Sequence, residues 1–333
     1  MTHADVPPRP GPHNPVSATP PRARPSVRRT TTADITFPEG IGGRVIADVR
    51  GRDLRTDAVG ATDVLDELAV NVEIEPWTAT IAAVDATHVR APLDALVGLR
   101  LRGLSRRVEQ LFPDDAAGRS LLYSAFEDLS GAYLVSGYAG LRAGLIETTP
   151  EVAELAIQTQ GDVCIGWAVG GSVIETIRAT GRHAVPFGPA APALEDDDED
   201  AWHAMARLPA PSVRRRRRTD VPATASDDAP LLVEHHFRDS FAGGEGEEVL
   251  HEYLVSAVFD RTRRLSSIDV DARVLPWYEC PGATASAQRL VGTALDEIAA
   301  RVRSDFTGAT TCTHLNSTLR TLADVRVLAC GAA

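Results

Sequence analysis

The sequence predicts an α+β protein made of two similar units, each with antiparallel strands followed by a helix pair. Three observations carry that expectation. Between Val27 and Val89, short runs of alternating apolar and polar residues are separated by turn residues, which is strand text. From Leu93 to Phe112 the apolar residues recur at three- and four-residue steps, the mark of an amphipathic helix. The same succession then returns in the second half of the chain. With 333 residues, 44% of them hydrophobic, there is enough apolar material for two modest cores.

In chain order, residues 1–26 are rich in proline and arginine and poor in bulky apolar residues, so they read as a disordered tail. The first unit, 27–150, has strands at Val45–Val49, Leu68–Ile74 and Thr78–Val84. Turn chemistry divides them at Pro38-Glu39-Gly40 and Glu75-Pro76. A helix follows from Leu93 to Phe112, and a second starts at Pro113-Asp114-Asp115 and runs through Leu129. Residues 151–212 form a connecting segment. It contains Cys164-Ile165-Gly166-Trp167, whose neighbouring glycines do not have dinucleotide-binding spacing. It ends in an acidic run, Glu195 to Asp200. That run and the basic run Arg214 to Arg218 read as solvated linker charge that neutralises itself.

The second unit, 213–333, echoes the first. Val27-Arg28-Arg29 with Asp34 returns as Val213-Arg214-Arg215 with Asp220. Leu96-Val97-Gly98, Arg107-Val108 and Phe112 return at constant spacing as Leu290-Val291-Gly292, Arg301-Val302 and Phe306. A spacing match across a whole helix marks an internal duplication, and two such halves would pack about a pseudo-twofold axis. A helix is expected from Leu290 to Phe306. After a break at Thr307-Gly308-Ala309, another restarts with Thr310 or Thr311 as N-cap, placing Cys312 in its first turn.

Composition narrows the function. A net charge of -12 argues against a general affinity for nucleic acid or anionic membrane. All basic residues are arginine, which excludes Schiff-base and P-loop lysine chemistry. Four scattered cysteines do not make a disulfide scaffold, and no apolar signal segment opens the chain. The most apolar stretch, Leu129 to Ile146, contains Arg142 and reads as a buried helix, so a cytoplasmic protein is expected.

The two halves disagree at the residues that carry chemistry. His251 corresponds to Asp66, Cys280 falls on or near Ala91, Cys312 on or near Arg119, and His314 on Leu121. Joint absence from the first unit points to one site in the second, formed by His251, Cys280, Cys312 and His314. Thiolate and imidazole suit zinc or another divalent transition metal; four ligands would close the site, and three plus water would make it catalytic. A metal-dependent hydrolase or lyase acting on a small molecule follows from that reading. The alternatives are a Cys312 nucleophile with His251 or His314 as base and Glu252 or Asp271 as orienter, and a non-catalytic ligand-binding or regulatory protein whose cluster stabilises the fold. The bland reading of Cys312 is a small buried apolar residue, with His314 capping a carbonyl. Oligomeric state beyond the internal axis is not encoded in any motif.

At these residues the chain resembles the bacterial family known as domain of unknown function 2889. Paired arginines, His251-Glu252, Cys280, Leu290-Val291-Gly292 and Cys312-Thr313-His314-Leu315 carry the resemblance, from Arg214 to about Ala323. Thr311 stands where the family pattern has glycine. The Cys164–Trp167 stretch and Trp202-His203 look like the linker of two-copy, actinobacterial-style members. The resemblance implies a bacterial cytoplasmic protein whose first half is a degenerate copy, and implies no particular reaction.

Overall fold

A computed structural model describes residues 10–87, 92–144, 149–195, 198–224, 226 and 229–332. Eight strands form one antiparallel sheet: β1 (Ser26–Thr36), β2 (Val45–Thr56), β3 (Thr62–Glu75), β4 (Thr80–Thr87), β5 (Ser212–Pro222), β6 (Leu231–Gly243), β7 (Gly246–Phe259) and β8 (Leu265–Val274). Their spatial order is β4-β3-β2-β1-β5-β6-β7-β8, which reads alike from either edge inward. Two four-strand meanders therefore meet at the β1–β5 seam, where Arg28 lies opposite Asp220 and Asp34 opposite Arg214. The expected α+β class holds.

The helices are α1 (Leu104–Leu111), α2 (Pro113–Gly118), α3 (Leu121–Arg142), α4 (Pro150–Gln160), α5 (Ser172–Thr180), α6 (Ile298–Asp305), α7 (Thr313–Arg320) and α8 (Val325–Ala332). The helices expected over Leu93–Phe112 and Leu290–Phe306 are shorter than their periodicity suggests. In each case a 3-10 segment, Leu93–Leu96 or Cys280–Leu290, is followed by a glycine at φ +85°, Gly98 or Gly292. Only glycine takes that conformation without strain. It turns the chain back so that Gly98 N–H bonds Ile81 C=O and Gly292 N–H bonds Leu265 C=O. The helices proper, α1 and α6, begin after these turns. No described helix is long and apolar enough to cross a membrane.

One apolar core gathers residues of β2, β3, α1 and α3. A larger one gathers β6, β7, residues of the 3-10 segment Cys280–Leu290 such as Ala283 and Ala287, α6 and α7, together with Trp167, Val173 and Ile177 of the connecting segment. The connecting helices thus pack with the second half.

Two expectations need correction. Arg214 to Arg218 are not linker: they are consecutive residues of β5, at the centre of the sheet, and all are buried. Each has a carboxylate. Arg214 pairs with Asp34, Arg215 with Asp239, Arg216 with Glu195 and Glu247, Arg217 with Asp128, and Arg218 with Asp220. A guanidinium can be buried when paired and hydrogen-bonded, which is the physical reason the run survives there. Of the acidic run only Glu195 takes part in this pairing, and Asp196 and Asp197 lie outside the described residues. The second correction concerns the expected tail. Residues 1–9 and Ala91 lie outside the described residues, but residues 10–25 are fixed. Pro12 and Asn14 bond the backbone of Leu275 and Arg273, Val16 N–H bonds Glu252, and Pro20 C=O accepts from Arg28. Buried side chains use the backbone groups of this proline-rich strap, so it needs no apolar side chains of its own to be held.

Candidate metal centre

Strand alternation decides which side chains can meet. On β6, His235, Phe237 and Asp239 face the helices, whereas His236 and Arg238 face the strap and the connecting segment. Across the ladder Asp239 lies opposite His251 of β7, beside a register shift. Cys312 has extended backbone angles and is itself the N-cap of α7, displacing the role expected of Thr310 or Thr311. That position lets the i and i+2 side chains converge. Cys312 Sγ lies 3.8 Å from His314 Nδ1, and His314 Nε2 lies 3.6 Å from Asp239 Oδ2.

His251 Nδ1 faces the same oxygen at 3.7 Å, and the two imidazoles are stacked with centroids 3.7 Å apart. One ligand atom from each of Asp239, His251 and His314 lies within 4.8 Å of the others; among the described residues no other His, Cys, Asp or Glu group does so. His251 Nδ1 and His314 Nε2 are both too far from Asp239 for a hydrogen bond, and His251 Nδ1 is buried without a hydrogen-bond partner. Arg215 holds Asp239 from behind through two bonds, at 2.7 and 2.9 Å.

The electrostatics favour neutral imidazoles. Burial pulls the His251 pKa down to about 4 against the pull of Asp239, and burial, then His251, puts His314 well below the usual range. Burial also pushes the Cys312 thiol up, despite N–H groups of His314 and Leu315 and the Tyr253 hydroxyl at 3.4 Å. The helix-terminus activation expected for this thiol is therefore outweighed by desolvation.

Of the residues singled out in the sequence, His251 and His314 come together, Cys312 abuts them on the Nδ1 side, and Cys280 sits outside the group beside Gly166. Neither expected orienter is in place. Glu252 faces the opposite side with His236 and Arg238, and Asp271 is exposed on β8 beside Arg273. Asp239 was not among the sequence candidates. Its signal lay in spacing: Arg29 pairs with Asp53 and Arg215 with Asp239, both 24 residues apart.

No curated protein and no solved structure matches the chain. One family model does, over residues 213–328, the span that contains β5 to β8, Asp239, both histidines, Cys280 and Cys312. Over these residues the chain is similar to the family described as protein of unknown function (DUF2889).

Proposed function

We propose that Asp239, His251 and His314 hold a divalent transition metal and that the protein is a metal-dependent enzyme, of hydrolase or lyase type, acting on a small molecule. The observation that carries this reading is the buried, partnerless His251 Nδ1 aimed at the oxygen that His314 Nε2 also faces. An orphaned buried acceptor costs about 1–3 kcal/mol, and a cation between the three atoms removes that cost. The donor set suits the ion: two neutral imidazoles and one carboxylate are a common three-ligand site for zinc or ferrous iron, with positions left for water and substrate. Binding would splay the stacked rings, and His314, 13% exposed, is the side from which a ligand would arrive. Arg215 acts as the outer partner that fixes the carboxylate. A bound cation of this kind supplies a water acidic enough to ionise near neutral pH.

The test is metal content of untagged protein purified without chelator. About one zinc or iron at this centre is expected per chain, and its loss in both His314→Ala and Asp239→Asn. Metal-free wild type would overturn the reading.

A second reading is favoured by one alignment: Cys312 Sγ, His314 and Asp239 stand in the order of nucleophile, base and orienter. Iodoacetamide should distinguish them. With burial holding the thiol protonated, we expect Cys312 to react far more slowly than exposed Cys330 at pH 7; fast, selective alkylation of Cys312 would favour thiol catalysis.

We also infer that the two halves are copies of one unit. Arg28–Asp220 and Arg214–Asp34 are reciprocal across the seam, and Arg29–Asp53 and Arg215–Asp239 repeat within each half. The first copy has Asp66 opposite Asp53, where the second has His251 opposite Asp239, and so lacks the imidazole pair.

A further inference from the structure

A cavity of about 750 Å³ lies beneath the strap, on the face of the sheet opposite the Asp239–His251–His314 centre. Arg218 of β5, Glu234 of β6, Leu254 and Ser256 of β7 and Thr56 of β2 form its floor, and the strap between Val16 and Arg24 roofs it. Arg218 lies opposite His236, His236 opposite Leu254 and Glu234 opposite Ser256, and directly opposed residues of a ladder share a face. A space of this size suits a small molecule.

The donors around it are short of acceptors. Arg28 and Arg218, 1% and 2% exposed, share a single carboxylate. Arg28 Nε lies 2.5 Å from Asp220 Oδ1, and Arg218 Nε lies 2.6 Å from Asp220 Oδ2. Arg28 spends its other nitrogens on the carbonyls of Pro20 and Ala201, whereas those of Arg218 reach no acceptor among the described residues. Burial lowers the Arg218 pKa, and the shared Asp220 does not restore it. Thr56, 2% exposed, keeps its Oγ1 buried without a hydrogen-bond partner. Arg22 Nη1 is buried in the same condition, its nearest carboxylate being Asp200 at 3.6 Å. The strap, β2 and β5 thus each bring to one cavity a donor with nothing to donate to, and buried polar groups are rarely left so.

We propose that this cavity binds a small carboxylic acid with an apolar body, its carboxylate received by Arg218, Arg22 and Thr56. One guanidinium left without its own carboxylate calls for a single negative charge. A dianion such as phosphate would be opposed by Glu234, which is exposed on the same floor. The rest of the ligand lies against Val16, Pro20, Pro21 and Leu254, the apolar part of the wall. Because Arg22 belongs to the strap and Arg218 and Thr56 to the sheet, the bound acid ties one to the other. The site shares no residue with the metal centre and does not depend on it.

Calorimetric titration of the full chain with benzoate, octanoate and 2-naphthoate tests the site. At least one acid should bind once per chain, and its neutral amide should bind about tenfold more weakly or worse. Ser256→Trp, which fills the cavity from an exposed position, should abolish binding. Thr56→Val, which keeps the shape and removes the hydroxyl, should weaken it about tenfold. His251→Ala, on the other face of the sheet, should leave it unchanged. Arg218→Gln should also abolish binding; if that variant fails to fold, the Ser256 and Thr56 variants decide. The proposal is overturned if no acid binds, if an amide binds as well as its acid, or if binding survives Ser256→Trp. Loss of binding in His251→Ala would move the acid to the metal centre and overturn it too, as would binding of inorganic phosphate in place of the acids.

Discussion

Glu127→Gln is expected to destabilise the protein by about 3–5 kcal/mol, the usual cost of breaking a buried ion pair from one side. Glu127 lies on α3 with its side chain inaccessible, and its two oxygens receive Arg320 at 2.8 Å, Arg303 at 3.0 Å and Arg119 at 3.2 Å. Burial alone would raise its pKa, but three guanidinium groups overcome that and hold it far below the ordinary range. A glutamine keeps the shape and removes the charge, leaving three arginines around a neutral amide. Arg119 retains Asp324, and Arg303 retains Glu109 and Tyr123, so the loss falls short of three free charges. Because Arg119 comes from the first half and Arg303 and Arg320 from the second, the loss should appear as global unfolding at lower urea. Asp63→Asn, which breaks an exposed pair with Arg55, is the control and should cost roughly 0–1 kcal/mol. Equal midpoints for the two variants would refute the argument.

Acid should unfold metal-stripped protein well above the pH at which carboxylates titrate. His203, His235 and His236 are fully buried as neutral rings. Burial, assisted by Arg52 and Arg214, lowers His203 to about 3; burial lowers His236 to about 4 against the pull of Glu252; burial and Arg217 put His235 well below its usual range. Above pH 6.5 these groups are neutral in both states and contribute no slope. As pH falls below 6.5 the unfolded chain takes up protons that the fold refuses, so each histidine subtracts about 1.4 kcal/mol per pH unit until its folded pKa is reached. With His251 and His314, also held neutral when no metal is bound, five such rings remove roughly 10 kcal/mol by pH 5, against a typical total of about 5–15 kcal/mol. Asp34, raised by burial, opposes this only at lower pH, near its own titration. The urea midpoint should therefore drop steeply between pH 6.5 and 5. His203→Asn, which removes a ring held between Thr30 and Thr32, should reduce that slope by about a fifth. A flat midpoint over this range would contradict the account.

These two effects rest on residues that differ in how well the sequence announces them. Strand positions are legible, because period-two alternation leaves a local trace; the turns at Gly98 and Gly292 are not, because the apolar residues on both sides keep three- and four-residue steps and read as one continuous helix. The convergence of Cys312 and His314 is also legible, since a helix cap relaxes the divergence of i and i+2 side chains. Arg214 to Arg218 are not: five identical residues have no period, and a charge run is solvated unless carboxylates reach both faces, which depends on partners from Asp34 to Glu247. Residues 10–25 mislead for a related reason. Their fixation comes from backbone groups that buried Arg28, Arg238 and Glu252 consume, and composition does not record that. Asp239 is hidden because one aspartate among many carries no signature until its distance from Arg215 is compared with that of Asp53 from Arg29.

The arginine strand also governs how the chain can assemble. Exposed strands are templates for aggregation, and central strands of a large antiparallel sheet wait longest for their neighbours. β5 cannot be buried early, because its neutralising carboxylates arrive from the first half (Asp34, Asp128), the connecting segment (Glu195) and the second half (Asp220, Asp239, Glu247). Until all are delivered, five adjacent positive charges keep the strand in water and repel a second copy of itself, as gatekeeper residues do at the flanks of sticky segments. The most central strand of the sheet is thus the one least able to nucleate a wrong partner, and its burial reports that both meanders are already in place.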